Sequence, residues 1–450
     1  MNWTEQDRAA FAERGWKREE ADAQVEQLRA GHTERRVRAA CTEGDGVVKW
    51  SEHERGERST FAQRRMNEGH RVAGFVPASG AATRMFKDLH PPVQPEVAAR
   101  LAADWRRLPF AALLEESDGE GLADQILNKL AYQHLPKGHV PFFALPNGEV
   151  LTAFDAHGEE WRLMGGSDLV FTVPGPFRAQ LPERYARWQG VHWDVQHPET
   201  DTLAWDAAAQ APARTPDGAL LFRPGGHGAL LANLNALTTD AAVVRNIDNA
   251  VPPAAMPGRN TWRQALLGTA WHLAEEREAL WSRLQRGEAD AERAAWHWLS
   301  AFVNGADMPR TLDQWHFHLN RPIRVAGVVP NAGLPGGGPF WVADADGFFR
   351  PGIAEAAELP DGALAGGTHF NPVELALHFR GLGGTHLHLP DFADATAFFT
   401  AEKVVDGRTL RILERPGLWN GGMAGWLTRF VELPAEVFAP VKTVFDLVRD

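Results

Sequence analysis

A short loop between an apolar segment and a helix-like segment carries small residues and two cations. Ser79, Gly80 and Ala81 follow the strand-like run 72–76, and Arg84 and Lys87 come a few residues later. Backbone N–H groups of small residues can approach an anion closely, and the start of a helix favours negative charge. The pattern predicts an anion site with fixed positive charge. A tight turn without a ligand is the other interpretation.

A second cation lies in a constrained loop. Lys137 stands between Pro136 and Gly138, ahead of an apolar run. Such a loop can aim an ammonium group at a ligand, although a surface lysine would have the same local sequence.

A third loop is rich in glycine and precedes a buried strand. The segment 224–228 reads P-G-G-H-G, and the strand-like run 241–245 leads to Asp248 and Asn249. A loop of this kind lets a flat base lie against backbone. An Asp at the carboxyl end of a buried strand is where α/β folds place ligand and metal chemistry. A turn or helix cap is the alternative role for Asp248.

Composition excludes several functional classes. The chain has 450 residues, 46 Lys+Arg and 58 Asp+Glu, and a net charge of −12, which argues against a nucleic-acid surface. Cys41 is the only cysteine, so an internal disulfide is excluded. No apolar run approaches the roughly 20 residues of a membrane span. We therefore expect a cytoplasmic protein without nucleic-acid or membrane partners.

The elements that must position these loops alternate between strand and helix. Apolar runs at 168–173, 190–195, 219–222, 241–245, 322–328 and 339–343, with helical patterns between several of them, predict an α/β fold with a mainly parallel sheet. We divide the chain into a helical segment 1–70, with helices near 5–13, 17–31 and 33–41, a first half of the α/β domain 71–260, a helical insertion 261–318, and a second half with the C-terminal segment 319–450.

Taken in chain order, the segments resemble the UDP-sugar pyrophosphorylases, UTP-dependent uridylyltransferases that include UDP-N-acetylhexosamine pyrophosphorylase. Those enzymes carry a glycine-rich loop ending in G-T-R-[LM], a P-K-G segment, a P-x-G-[NH]-G loop, a strand ending in D-N, a late Asn and a C-terminal F-[SA]-P-[LV]-K. The matching positions are Gly80, Thr83, Arg84, 136–138, 224–228, Asp248, Asn249, Asn371 and 438–442. More closely, the chain resembles a bacterial family, the domain-of-unknown-function 4301 family, of the same superfamily.

This resemblance implies a Rossmann-like, GT-A-type nucleotidyltransferase fold and a reaction between UTP and a sugar 1-phosphate. It makes 71–260 the nucleotide-binding half of the domain and 319–450 the sugar-phosphate-binding half. It implies that Arg84, Lys137 and Lys442 are catalytic, that Asp248 holds Mg²⁺, and that Gly337 and Asn371 bind the sugar. The nucleotide-binding residues implied are Ser79, Gly80, Ala81, Thr83, Lys87, Gln196, Gly225, Gly226, His227 and Gly228. Arg84, Lys87, Lys137 and Lys442 should then converge.

Two departures keep a second function open. Ser79 and Ala82 stand where the related loop has glycine, and no second acidic metal ligand can be placed. A catalytically silent protein that binds a nucleotide or a sugar phosphate would tolerate both changes. Two H-x-H pairs, at 316–318 and 386–388, lack a third ligand at zinc spacing.

Overall fold

Strands and helices alternate along most of the chain. The computed structural model describes residues 1–31, 34–186, 188–333, 336–344, 347–405 and 407–448. The strands are β1 Val37–Ala40, β2 Thr42–Glu43, β3 Gly46–Val48, β4 Val72–Pro77, β5 Pro141–Ala144, β6 Val150–Thr152, β7 Asp168–Thr172, β8 Val191–Asp194, β9 Thr202–Asp206, β10 Ala211–Pro212, β11 Phe222–Arg223, β12 Ala241–Arg245, β13 Ile323–Val328, β14 Gly338–Ala343, β15 Phe349–Ala354, β16 Glu374–His378, β17 Phe399–Val405, β18 Arg408–Glu414 and β19 Leu427–Glu432. The α-helices are α1 Glu5–Glu13, α2 Arg18–Ala30, α3 Glu52–Asn67, α4 Pro95–Asp104, α5 Gly119–Asp124, α6 Ala153–Met164, α7 Gly175–Ala179, α8 Glu183–Ala186, α9 Leu230–Asn235, α10 Met256–Gln285, α11 Ala291–Leu299 and α12 Leu312–Leu319.

A mixed, mostly parallel sheet organises the molecule, which confirms the predicted α/β class. Its strand order is β2-β3-β19-β13-β16-β12-β4-β7-β8. Only β16 runs antiparallel to its two neighbours, β13 and β12, and the other pairs are parallel. The carboxyl ends of β12, β4, β7 and β8 therefore meet along one edge of the sheet.

Apolar side chains cover both faces of this sheet. In β12, Ala241 and Val243 pack in the cluster that contains α6 and α10, while Ala242 and Val244 pack in the cluster that contains α9. A strand that is buried on both faces needs an unbroken apolar run, which is why β12 has no polar alternation before Arg245.

The helical segment 261–318 belongs to the layer that covers the sheet. Its largest helix is α10, a helix of 30 residues that begins at Met256 and packs on α3, α6, β13 and β16. Its buried residues include three arginines, Arg259, Arg263 and Arg277.

The first 70 residues contribute strands as well as helices. The helix expected near 33–41 is wrong, because Val37–Ala40 forms β1 and pairs antiparallel with β14. Val37 and Ala40, the two residues that pair with β14, are half-buried and the two residues between them are exposed, and this pairing overrides the helical propensity of the segment. Helices α1 and α2 pack against β9 and β18 of a separate antiparallel sheet.

No helix among the described residues combines the length and the apolar character that a membrane crossing requires.

Candidate functional site

A cavity of about 970 Å³ lies at the carboxyl edge of the parallel strands. Its wall is formed by the segments that follow β4, β7, β8 and β12, together with the loop 224–227 and Lys442. In α/β sheets this edge is the usual place for ligands, since the loops there diverge and leave a crevice.

The loop after β4 is paired with the loop that carries Lys137. The N–H of Lys137 donates to the carbonyl of Gly80 at 3.2 Å, and the N–H of Ala82 donates to Leu135 at 3.0 Å. A third contact holds the loop of Lys137, since Nδ1 of His139 lies 2.8 Å from the hydroxyl of Tyr185. Arg84 lines the same cavity, with an exposed side chain that forms no hydrogen bond or ion pair with another described residue.

Gly138 is required next to Lys137 for steric reasons. A Cβ at this position would lie 2.3 Å from the ring of Phe154, which is fully buried. We expect Gly138→Ala to lower the free energy of unfolding by about 1–3 kcal/mol, because the ring has no space to retreat. Gly258→Ala is the control, since nothing lies within 4 Å of its Cβ. Urea denaturation measures both, and equal midpoints for the two variants would contradict the prediction.

Asp248 joins the two lysines at one end of the cavity. Its Oδ2 lies 2.8 Å from Nζ of Lys442 and 3.4 Å from Nζ of Lys137. The side chains of Asp248 and Lys137 are each 15% exposed, and that of Lys442 is 60% exposed. Burial acts to raise the pKa of Asp248, but the two ammonium groups outweigh it and hold this pKa below its usual value.

The charge on Lys137 predicts a pH dependence of anion binding. Burial lowers the pKa of Lys137, and the charge of Lys442 adds to that effect, although Asp248 opposes it. Binding of a phosphate anion should be strongest while Lys137 is protonated, and should weaken as the pH rises through its lowered pKa.

Calorimetry with pyrophosphate, from neutral pH to the ordinary lysine pKa of about 10.4, tests this. Pyrophosphate changes its own protonation equally in experiments with wild type and with Lys137→Gln. The additional loss of affinity that comes from deprotonation of Lys137 is therefore expected only in the wild type. Identical pH profiles would contradict the prediction.

Asn249 holds the C-terminal segment against Asp248. Its Oδ1 accepts hydrogen bonds from the N–H of Ala439 at 3.1 Å and from Arg259 at 3.2 Å. The N–H of Val441 donates to the carbonyl of Asp248 at 2.9 Å. Lys442 therefore reaches the cavity because Asn249 and Asp248 bind the backbone just before it.

A buried cluster of charges lies behind this turn. Glu160 accepts from Arg245 at 3.0 Å, Arg259 at 2.6 Å and Arg263 at 2.6 Å. Arg263 also pairs with Glu374 at 2.6 Å, and all five side chains are at most 2% exposed. Sequence inspection did not identify this cluster. The i, i+4 spacing of Arg259 and Arg263 was its only local signal.

The other end of the cavity, which we call the base end, is less charged. It is formed by Gln196, Asp201, Gly226 and His227. Nε1 of Trp419 donates to Nδ1 of His227 at 2.8 Å, which leaves the proton of a neutral imidazole on Nε2. Burial lowers the pKa of His227 to about 4, so the ring is neutral at physiological pH. Gly226 has a φ of 74°, and a Cβ there would lie 2.8 Å from Glu414.

Most of the residues expected from the sequence line this one cavity. They are Ser79, Gly80, Ala81, Arg84, Lys137, Gln196, Gly226, His227, Asp248 and Lys442.

Four of the expected nucleotide-binding residues do not line the cavity. Thr83 donates to the carbonyl of Gln133, and Gly225 and Gly228 pack against the carbonyls of Thr200 and Pro416 behind the wall. Lys87 does not join the other cations. It lies one 3₁₀ turn beyond Arg84, roughly 6 Å further along the axis, and its ammonium is 4.0 Å from Asp88.

The two expected sugar-binding residues lie outside the cavity wall. Nδ2 of Asn371 donates to Glu355 at 3.2 Å, and the backbone of Gly337 also hydrogen-bonds to this carboxylate. Both residues thus have a structural partner in Glu355.

Asp248 is the residue that the sequence resemblance implies as a metal ligand, and it lines the cavity. The described part of the chain contains no group of three His, Cys, Asp or Glu side chains that could hold one, and this includes both H-x-H pairs. Mg²⁺ is nonetheless commonly bound by one or two carboxylates together with substrate phosphates and water. Asp248 fits that arrangement when a nucleotide supplies the other oxygens.

Comparison with known proteins gives one family and distant structural likenesses. The family model described as Domain of unknown function (DUF4301) matches residues 4–103 and 97–450. No curated protein matches the chain.

Two solved structures illustrate the structural likenesses. A mutant UDP-glucose pyrophosphorylase from Leishmania major in complex with UDP-glucose is 14% identical, with a TM-score of 0.45 over 95% of this chain and 74% of that one. A nucleotidyl transferase from Methanothermobacter thermautotroptrophicus is 14% identical, with a TM-score of 0.30 over 85% of this chain and 96% of that one. Likenesses of this size transfer no residue role to this chain.

Proposed function

The chain belongs to the family described as Domain of unknown function (DUF4301), and from the chemistry of its cavity we propose that it is a nucleotidyltransferase. The reaction proposed joins a nucleoside triphosphate and a sugar 1-phosphate into a nucleotide-sugar and releases pyrophosphate. UTP is the donor that the sequence resemblance implies.

One observation carries the proposal. Lys137 and Lys442 meet at Asp248, and Arg84 lines the same cavity, whose other end is a glycine-containing loop with a neutral imidazole. Nucleotidyl transfer asks the protein to hold two anions in line and to neutralise their charge, without a covalent intermediate. Three cations and one carboxylate in a single cavity, next to a wall that suits an uncharged ring, would provide those functions.

The positions of the side chains support the following roles. An oxygen of the sugar 1-phosphate attacks the α-phosphorus, the bond from the α-phosphorus to the bridging oxygen of the β-phosphate breaks, and pyrophosphate leaves. Arg84, which has no polar partner among the described residues, would bind the leaving pyrophosphate. Lys137, held by its backbone, neutralises the α-phosphate, and the more exposed Lys442 neutralises the incoming sugar phosphate.

Asp248 would hold Mg²⁺ together with the phosphate oxygens. Bound there, the ion would supply charge neutralisation at the α-phosphate. Lys137 and Lys442, which pair with Oδ2 of Asp248 in the structure, would then leave this carboxylate and bind the phosphates. Gly337 and Asn371 stay candidates for the sugar end, with Glu355 orienting them.

The test is release of pyrophosphate. The full chain is incubated with each of the four nucleoside triphosphates and a panel of sugar 1-phosphates, with Mg²⁺ or with EDTA. We expect at least one pair to give equal amounts of pyrophosphate and nucleotide-sugar, with Mg²⁺ required. Tight nucleotide binding without release for any pair would favour the silent binding protein, and absence of nucleotide binding would overturn both.

A further inference from the structure

One carboxylate in the cavity wall has hydrogen-bonding capacity to spare. Asp201 follows β8 at the base end, and its side chain is 21% exposed. In the part of the chain that the structure describes, its carboxylate accepts one hydrogen bond, from Nε of Arg14 at a long 3.4 Å. Asp194 and Asp248, by contrast, each accept two.

The single partner of Asp201 is itself fixed elsewhere. The guanidinium of Arg14 lies 3.6 Å above the ring of Phe222, and its Nη1 donates to the carbonyl of Ala10 at 3.2 Å. Burial raises the pKa of Asp201 although Arg14 opposes this effect, so the ion pair does not compensate for the hydration that the carboxylate loses. A half-buried carboxylate in this state has room for further donors from a ligand.

The segment that carries Asp201 is held rigidly. Nε of Arg415 donates to the carbonyl of Thr200 at 2.8 Å, and Nε1 of Trp16 donates to that of Glu199 at 2.7 Å. The carboxylate is thus presented to the cavity by a preorganised loop, which is what a specificity contact requires.

The position of Asp201 relates it to the base and not to the phosphates. The strands β12, β4, β7 and β8 are neighbours, so the end of β8 at Asp194 lies three spacings of about 4.8 Å, or roughly 14 Å, from the end of β12 at Arg245. Asp201 lines the cavity from the segment after β8, and Asp248 lines it from the segment after β12. A nucleotide whose phosphates contact Arg84 and Lys137 would extend its base in this direction.

The hydrogen-bond donors on each base then determine which base can bind to the carboxylate of Asp201. Guanine presents two adjacent donors, N1–H and the 2-amino group, which match the two oxygens of a carboxylate. Uracil presents a single N–H between two carbonyl oxygens, which a carboxylate repels. Gln196, which has no hydrogen-bond partner among the described residues, can donate to the carbonyl oxygen of guanine.

We infer that Asp201 is a specificity-determining residue and that the donor nucleotide carries guanine in place of the uracil implied by the resemblance. The inference rests on the proposed nucleotide site, and it changes only the base that this site selects.

Calorimetry on the full chain with Mg²⁺ tests it by comparing GTP with ITP, which lacks only the 2-amino group. We expect wild type to bind GTP at least roughly tenfold more tightly than ITP, as for a hydrogen bond to a charged group, and to bind UTP more weakly than GTP. This comparison needs no variant.

The variant Asp201→Asn tests whether Asp201 recognises the base or only stabilises the loop. The amide replaces one acceptor by a donor, so we expect the difference between GTP and ITP to vanish and XTP, with a carbonyl at C2, to bind better than GTP. Asp206→Asn, on β9 and paired with Arg408, is the matched control and should keep the wild-type order.

The outcomes distinguish the two claims. Nucleotide binding with UTP favoured over GTP in wild type, or a difference between GTP and ITP that persists in Asp201→Asn, would overturn the inference and leave the proposed function intact. No binding of any nucleotide would overturn the proposed function, and with it this inference.

Discussion

Replacing Lys137 with alanine is expected to abolish formation of nucleotide-sugar while the protein stays folded. The side chain of Lys137 is mostly buried and its Nζ lies 3.4 Å from Asp248, while its backbone N–H donates to the carbonyl of Gly80 and fixes the loop that carries it. A cation that is fixed before the substrate arrives stabilises developing charge without reorganisation. Loss of one such group costs on the order of 100-fold or more in kcat/KM.

The fold should survive because Asp248 keeps a partner. Lys442 lies closer to the same oxygen, at 2.8 Å, so removal of Lys137 does not leave a bare carboxylate. Lys129→Ala is the control, since this lysine is exposed and pairs with Glu115 on the surface. Thermal unfolding should be similar for both variants, while steady-state pyrophosphate release should be lost only in Lys137→Ala. Wild-type activity in that variant would refute the assignment.

Replacing Glu160 with glutamine is expected to cause the largest loss of stability. Burial alone would raise the pKa of Glu160, but the three arginines around it hold this pKa well below its usual value. Glutamine keeps the size of the side chain and removes its charge. Among the described residues, Arg245 and Arg259 then lose their carboxylate partner, and Arg263 keeps only Glu374. Breaking a buried ion pair in this way costs about 3–5 kcal/mol.

Glu159→Gln provides a control one residue away. Glu159 pairs with Arg162 on the surface, with 40% and 68% of the side chains exposed, so we expect a change within about 0.5 kcal/mol. Urea denaturation of both variants at neutral pH measures the difference. Equal midpoints would show that the buried cluster does not stabilise the fold.

The acid stability of this cluster follows from the same pKa. A carboxylate whose pKa is lowered by folding contributes its stability above the pKa of the unfolded state, and loses it as the pH falls through the lower pKa of the folded state. Glu160 should therefore begin to lose its contribution only below the ordinary Glu pKa of about 4.3.

Local sequence was sufficient for the elements that are buried on both faces. The runs at 168–173, 241–245 and 322–328 predict strands, and β7, β12 and β13 lie within one residue of these bounds. The segment 33–41 was misjudged because its conformation depends on β14, which is some 300 residues away in the chain. No local pattern reports such a partner.

Some residues of the candidate site could be predicted from local sequence, and others could not. Arg84, Lys137, Asp248 and Lys442 were found because each lies in a short motif, and the structure brings all four to one cavity. Asn249 belonged to a motif, but its role in holding the backbone before Lys442 required coordinates. Glu160 and Asp201 come from segments without a motif, and their importance arises from partners that are distant in sequence.

The most direct test of the proposed function is the position of a bound nucleotide in a crystal of the full chain. The account predicts phosphates within hydrogen-bonding distance of Arg84, Lys137 and Lys442, and a base that lies against Gln196 and His227 near Asp201. A nucleotide bound elsewhere, or in the reverse direction with its base beside Asp248, would contradict it.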